Sequence, residues 1–118
     1  MKFMFLIFED PDVRDARTDQ DWQALTREFQ AYSRDVTAAG KLIDANPLPD
    51  EPAPVAVQCR GGAVVSVDGP FAETREHLGG YYILDCADIE DAKAWAGKIP
   101  SARTGTIEIR PVGVLPPG

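Results

Sequence analysis

The chain has 118 residues, of which 44% are hydrophobic and 26% charged, and a formal net charge of −7. This length suits one domain over residues 1–118 with an ordinary buried core. An acidic chain with dispersed arginines is not expected to bind nucleic acid directly, and without a run of ~18 apolar residues it is not expected to cross a membrane. A cytoplasmic location is expected.

The first predicted element is a strand. Residues 2–8, KFMFLIF, are apolar on both faces, which is typical of a strand buried on both sides. The run is too short for a membrane helix and lacks a small-residue cleavage pattern, so it is interpreted as a strand and not as a signal peptide. A polar loop is predicted over residues 9–19.

A long amphipathic helix is predicted over residues 20–39. Thr18 or Asp19 is expected to cap its start, and Gly40 stands where a left-handed residue ends many helices. The predicted apolar stripe recurs at steps of three and four residues and consists of Trp22, Leu25, Phe29, Tyr32 and Val36.

The middle of the chain predicts strands broken by proline and glycine. A short strand over residues 41–45 precedes a proline-rich stretch, NPLPDEPAP, which is expected to stay extended outside any central strand ladder. Residues 55–60 and 63–67 flank Gly61-Gly62, a strong signal for a hairpin. Asp68-Gly69-Pro70 is predicted to end the second hairpin strand.

The last third predicts a strand, a helix and a strand. Residues 80–86 are apolar on both faces, and Asp88 is expected to cap a helix over residues 88–98 that Pro100 ends. Residues 106–111, TIEIRP, alternate between apolar and polar positions, as an edge strand does.

The predicted order is β-α-β, a hairpin, then β-α-β. This order indicates an α+β fold: a ferredoxin-like βαββαβ sandwich with an extra hairpin strand. Its two helices cover only one face of the sheet, whereas the first strand is apolar on both faces, with Phe3, Phe5 and Ile7 on one side and Met4, Leu6 and Phe8 on the other. A second copy of the chain is the simplest cover, so a homodimer is predicted.

Neither a metal nor an organic cofactor is expected. Cys59 and Cys86 lack metal-site spacing and are expected to be buried small apolar residues rather than a disulfide, and His77 is the one histidine. The paired glycines lack the context of a phosphate-binding loop.

Two long motifs give the chain a family resemblance. DGPFAETREHLGGYY at residues 68–82 and IPSARTGTIEIRPV at residues 99–112 resemble DGPF-type proteins of the YCII-related family. AWAGKIPSAR, MKFMFLIFED and AAGKLIDANPLP also fit, so the resemblance covers nearly the whole chain. It implies a ferredoxin-like domain that forms a dimeric α/β barrel.

The resemblance implies several functions. Some family members resemble cofactor-free lyases or isomerases, and some DGPF domains are fused to sigma factors of RNA polymerase, which points to a regulatory or protein-interaction role in transcription initiation. Many relatives carry a histidine and an aspartate near the first helix as a suspected catalytic pair. Thr26 and Ala38 occupy those positions here, and neither exchanges a proton near neutral pH.

The segment 67–82 has two readings. As a corner, Gly69 takes a positive φ, Asp68 accepts turn hydrogen bonds, and Gly79-Gly80 allows a bulge or a close backbone approach. As a ligand pocket, the same segment lies over a barrel cleft and supplies proton-transfer groups, a carboxylate-holding arginine and an aromatic wall. The pocket candidates are Asp68, Phe71, Glu73, Arg75, His77, Tyr81 and Arg110, with Tyr82 as the alternative to Tyr81.

No catalytic residue is assigned from the sequence. Histidine is the side-chain type best suited to proton transfer near neutral pH, which makes His77 the first candidate for a proton shuttle. The family that the chain resembles commonly has glutamine there, so His77→Gln is expected to leave stability and ligand affinity nearly unchanged. The leading function is small-molecule binding, with a cofactor-free lyase or isomerase as its enzymatic form. A regulatory protein-interaction module and a cofactor-free monooxygenase remain the alternatives.

Overall fold

A computed structural model describes residues 1–70 and 74–117 of the chain. Within these ranges the elements are β1 (Lys2–Glu9), α1 (Pro11–Asp15), α2 (Asp19–Ala38), β2 (Leu42–Pro47), β3 (Val55–Arg60), β4 (Ala63–Asp68), β5 (His77–Asp85), α3 (Ile89–Gly97), a 3₁₀ helix (Pro100–Arg103) and β6 (Thr106–Pro111).

Four strands form an antiparallel sheet in the order β2-β5-β1-β6. In the central strand β1, Phe5 pairs with Tyr82 of β5 on one side and with Ile109 of β6 on the other. The predicted strand positions are confirmed, because the two strands apolar on both faces lie in the middle and the alternating β6 lies at an edge. The order is compatible with the ferredoxin-like α+β fold.

The predicted loop over residues 9–19 is wrong, because it contains the short helix α1. Asp10 caps this helix by accepting from the Asp12 backbone N–H, and Pro11 stands at its first position. Proline suits that position because its fixed φ matches the helix and no hydrogen bond is lost there. Five residues are too few to show the apolar periodicity on which the prediction depended.

The predicted ends of α2 are confirmed. Thr18 accepts from the Asp21 N–H, and the Asp21 carboxylate accepts from the Thr18 N–H, which makes a reciprocal capping box. At the other end Gly40 has φ +71°, and the Lys41 N–H donates to the Val36 carbonyl. Left-handed glycine and this backward hydrogen bond define a Schellman ending.

The strands β2 and β5 extend beyond their predicted bounds. β2 reaches Pro47, which pairs with Gly80; proline is tolerated there because β2 is an edge strand. β5 begins at His77, and its register against β1 shifts between Ile7, opposite Gly80, and Phe8, opposite Leu78. The extra residue is Gly79, so the predicted bulge at the double glycine is confirmed.

The core lies between one face of the sheet and the helices α2 and α3. Tyr32 stands at its centre, with its ring centroid 5.1 Å from that of Tyr82 and 6.3 Å from that of Trp95, both edge to face. Its hydroxyl donates to the Trp95 carbonyl over 2.9 Å, so the phenol is buried with its polar atom satisfied. The buried cluster comprises Phe3, Phe5, Ile7, Tyr32, Val36, Tyr82, Leu84, Cys86, Ala92, Ala96 and Ile99.

The hairpin forms as predicted around Gly61-Gly62, which have φ +57° and +81°. Its strands β3 and β4 form a two-stranded sheet of their own and do not join the four-stranded sheet in the described ranges. Cys59 was predicted to be buried, but it is exposed on β3 of the hairpin. Cys86 is buried in the core as predicted, and the two thiols are free.

Candidate functional site

A cleft of about 1330 Å³ opens between α2 and the start of β5. Its other sides are formed by residues 48–51, which follow β2, and by Arg14 of α1 and Arg17 between α1 and α2. The cleft lies on the same face of the sheet as the core and continues from it. A space of this size accommodates an ordinary small-molecule ligand.

The first half of the α2 stripe lines this cleft, and Phe29 within it also packs against the buried cluster. Tyr32 and Val36 are buried as predicted, but Leu25 and Phe29 are only half-buried, and the Trp22 side chain is 41% exposed. Together with Leu48 they form an apolar, aromatic wall. The predicted helical periodicity is therefore confirmed, and the structure divides the stripe between the core and the cleft.

The double glycine of β5 forms the floor of the cleft. A Cβ on Gly80 would lie 3.2 Å from the Asn46 carbonyl oxygen, so glycine lets β2 and β5 approach closely at this point. Beside it Tyr82 reaches the floor, and its hydroxyl lies 2.8 Å from the Ser33 Oγ. Burial raises the pKa of Tyr82, which keeps it a neutral hydrogen-bonding phenol.

Asp50 and His77 meet at the mouth of the cleft. The distance between His77 Nδ1 and Asp50 Oδ2 is 3.8 Å, and each side chain is 30% exposed. Arg14 donates to the same Asp50 oxygen. The Arg14 hydrogen bond lowers the pKa of Asp50, and the nearby imidazole acts in the same direction, so the carboxylate is ionised at neutral pH.

A second ion pair forms the side of the mouth next to α2. Arg17 donates to both carboxylate oxygens of Glu9, and its guanidinium carbon lies 5.0 Å from the Trp22 ring centroid. Thr104 donates to Glu9 over 3.2 Å. The Glu9 hydrogen bond raises the pKa of Arg17. This pair holds Trp22 in position at the opening of the cleft.

The structure brings two of the predicted pocket residues to the cleft. His77 and Tyr81 both border it, but the Tyr81 side chain lies on the face of the sheet opposite the core, where its hydroxyl donates to Asp44 over 2.7 Å, so His77 is the one of the two whose side chain meets the site at its mouth. Tyr82, the alternative to Tyr81, lines its floor. Phe71 and Glu73 lie outside the described residues.

Three other predicted residues lie away from the cleft. Asp68 ends β4 and is exposed on the hairpin. Arg75 donates to Asp10 over 2.7 Å, and Arg110 donates to Glu108 over 3.2 Å on β6. The carboxylate-holding role expected of these arginines therefore has no support from their positions.

The sequence reading missed the residues that meet His77 and the aromatic wall. Asp50 is in the proline-rich stretch, Glu9 begins the segment read as a loop, and Arg17 lies within that segment. Nothing in their local pattern indicates that Asp50 faces His77 or that Glu9 pairs with Arg17 beside Trp22. Asp10-Pro11 was the one available signal, because a capping residue before proline starts many helices.

Residues 1–70 and 74–117 contain no group of three or more His, Cys, Asp and Glu side chains that could hold a metal ion. Their helices include none that is both long and apolar enough to span a membrane.

The fold and the cleft define a class: an antiparallel α+β domain with an apolar cleft between its first long helix and its sheet. The model of the YCII-related domain matches residues 1–115, and the chain belongs to the YCII-related family. The family resemblance drawn from the motifs is thereby confirmed. An uncharacterized protein of Rhizobium meliloti (strain 1021) is 32% identical over 120 residues, covering 100% of this chain and 97% of the relative.

Proposed function

We propose that the chain binds a small, largely apolar molecule in the cleft between α2 and β5. The observation that carries this proposal is the placement of Trp22, Leu25 and Phe29, which form an aromatic and aliphatic wall along open space. An apolar surface that is not packed against the protein gains free energy when a ligand removes it from water, at roughly 25 cal/mol per Å².

The polar groups at the two ends of the cleft favour a ligand with hydrogen-bonding substituents. Ser33 and Tyr82 present hydroxyls at the floor, whereas His77 and Asp50 stand at the mouth. An apolar body with a few convergent polar groups is the usual composition of a ligand site. This arrangement is compatible with a cofactor-free lyase or isomerase, the reaction class suggested by the family resemblance.

Two glutamines on α2 provide a matched test of binding. Gln30 lines the cleft and Gln23 does not, yet both are exposed on the same helix. A panel of small aromatic molecules is screened for compounds that raise the melting temperature of the wild type by binding the folded state. Gln30→Phe fills the cleft and is expected to abolish that rise, while Gln23→Phe retains it. Equal rises in both variants would place binding elsewhere.

The uncovered face of the sheet supports a second proposal, a homodimer arranged as a dimeric α/β barrel. Met4, Leu6 and Ile83 lie on the face opposite the core, where Leu6 pairs with Tyr81 and Met4 with Ile83. Asp44 and Asn46 on β2 and Glu108 and Arg110 on β6 border this apolar strip. An apolar centre with a polar rim is typical of an interface, and a second copy presents the complementary surface.

The second candidate function is a protein-interaction module near a sigma factor. The exposed valines of the hairpin favour it: Val55, Val57, Val64, Val65 and Val67 are each at least 48% exposed. Fluorescence anisotropy with a purified sigma factor from the same genome would test it. Saturable binding that Val64→Lys weakens supports this function, and an unchanged anisotropy contradicts it.

A further inference from the structure

We propose that His77, oriented by Asp50, acts as a general base toward a weakly acidic molecule bound in the cleft. The inference rests on the proposed binding function and adds a proton-transfer step to it. It depends on the contact between two residues that lie 27 positions apart and that both line the cleft.

The contact fixes which nitrogen can accept a proton. Asp50 Oδ2 lies 3.8 Å from His77 Nδ1, a separation that closes to a hydrogen bond with a small side-chain movement. With the Nδ1 hydrogen directed at the carboxylate, the lone pair of the neutral imidazole is on Nε2. When Nε2 accepts a proton, the adjacent carboxylate stabilises the resulting imidazolium.

Competing carboxylates near His77 are occupied by other partners. Glu9 stands opposite His77 in the β1–β5 register, but its two oxygens are held by Arg17. Asp10 is held by Arg75 and by the Asp12 N–H. Asp50 is held in place by Arg14 yet still faces the imidazole. The charged groups that face His77 include Asp50, with Arg14 bound to it, and Glu9 and Asp10 at the end of β1. Glu76 precedes His77 in the sequence.

A simple probe reaction measures this chemistry without knowledge of the natural ligand. The probe 5-nitrobenzisoxazole is a flat, apolar aromatic molecule that fits the class proposed for the cleft. His77 Nε2 would take the proton from C3, forming an N–H bond as the C–H bond breaks. The electron pair of the C–H bond forms the third bond of a nitrile as the ring N–O bond breaks. The electrons of the N–O bond remain on the oxygen of a coloured phenolate. The imidazolium then releases its proton to water.

The variants separate proton transfer from binding. His77→Gln is expected to reduce the turnover of 5-nitrobenzisoxazole by ~100-fold, the effect of removing a general base, with little change in KM. Asp50→Asn is expected to reduce it by ~10-fold, because the amide does not stabilise an imidazolium. Glu76→Gln removes a carboxylate next to His77 in the sequence and is expected to retain the rate, which controls for net charge.

A structural signature accompanies the kinetics. Since His77 is the one histidine, its ring nitrogens give an unambiguous NMR signal. At about pH 9 the wild type is expected to show the Nδ1–H tautomer, and Asp50→Asn a mixture of tautomers.

Each failure has its own meaning. If the wild type binds the probe but His77→Gln converts it equally fast, the general-base proposal is wrong and the binding proposal stands. If the wild type does not bind the probe and Gln30→Phe changes nothing, the binding proposal fails for this class of ligand, and the general-base proposal falls with it. A wild type without the Nδ1–H tautomer would also overturn the role of Asp50.

Discussion

Arg75 Nε lies 2.7 Å from Asp10 Oδ2, which joins the segment before β5 to the start of α1. The same Asp10 carboxylate caps α1 through the Asp12 N–H. One side chain therefore both starts the helix that carries Arg14 and holds the residues leading into His77. Through this contact, the segment that carries the DGPF motif is connected to the mouth of the cleft, although Arg75 does not line it.

This contact predicts an acid-dependent loss of stability. The pKa of Asp10 lies below its ordinary value of 3.8, first because Arg75 donates to it and then because the Asp12 N–H does. A lowered folded-state pKa stabilises the fold above about pH 3.8, and this contribution is lost as the pH falls through the folded-state value. Asp10→Asn retains a capping oxygen but loses the ion pair. Its melting temperature is therefore expected to fall less than that of the wild type between about pH 6 and pH 3.

The control for this experiment is Asp12→Asn on the exposed side of α1, which is expected to follow the wild-type acid curve. Parallel curves for Asp10→Asn and the wild type would show that the Arg75 contact adds no acid-sensitive stability.

The turn glycine predicts a cost in stability. Gly69 has φ +114°, and its N–H donates to the Pro54 carbonyl. Gly69→Val is expected to destabilise the fold by roughly 1–3 kcal/mol in urea denaturation, because a β-branched residue is strained at this φ. Gly113→Val is the matched control, since Gly113 lacks a positive φ and has open space around its Cβ position.

Asp68 separates the two readings of the same turn. Asp68→Asn is expected to be mild for stability and silent for ligand binding, because Asp68 lies away from the cleft and an amide oxygen still accepts hydrogen bonds. If Asp68→Asn loses ligand binding while its melting temperature stays unchanged, Asp68 contributes to the binding site and this prediction is wrong.

Gly105 and Gly97 lie in different surroundings, so alanine substitutions at the two positions are expected to differ in their effect on stability. A Cβ on Gly105 would overlap the backbone oxygen of Phe8, whereas one on Gly97 meets nothing within 4 Å. Gly105→Ala is expected to destabilise by roughly 2 kcal/mol or more, because the connection to β6 would have to move away from β1. Gly97→Ala, at the end of α3, is expected to be neutral or stabilising by up to about 1 kcal/mol. Equal melting temperatures for the two variants would contradict this packing.

The outer face of the sheet predicts the effect of a charge on assembly. Met4→Asp or Leu6→Asp is expected to convert a dimer to a monomer in sedimentation velocity, because either change places a carboxylate in the proposed apolar interface. Gln23→Asp on the exposed side of α2 is the control. A wild type that sediments as a monomer at micromolar concentration would contradict the dimer, and circular dichroism checks that each variant is folded.

Much of the fold could be predicted from the sequence because its signals are local. Patterns of a few residues indicate the local backbone structure: the alternation at Ile107 and Ile109 indicates a strand, Thr18 a helix start, and the glycines at 61 and 62 a hairpin turn. The double glycine at 79 and 80 likewise indicated the bulge. The short helix α1 was missed because five residues do not establish a period.

The site could not be predicted in the same way, since it depends on contacts between distant segments. Nothing around Asp50 indicates that it faces His77, and the stripe that includes Trp22 has the same period in a core as along a cleft. The DGPF segment attracted the functional reading because its polar residues are close together in sequence. In the fold, His77 and Tyr82 of that segment present polar groups to the cleft, whereas Asp68 and Arg75 have other positions.

The most direct test of the cleft uses the two tryptophans as internal reporters. Trp22 lines the cleft, while Trp95 packs against Tyr32 in the core. An NMR titration with 5-nitrobenzotriazole, an unreactive molecule shaped like the probe, follows the two indole N–H signals, which Trp22→Phe assigns. The account predicts a saturable shift of the Trp22 signal that Gln30→Phe abolishes, with the Trp95 signal unchanged. A Trp22 signal that stays in place, or equal shifts of both signals, would contradict ligand binding in this cleft.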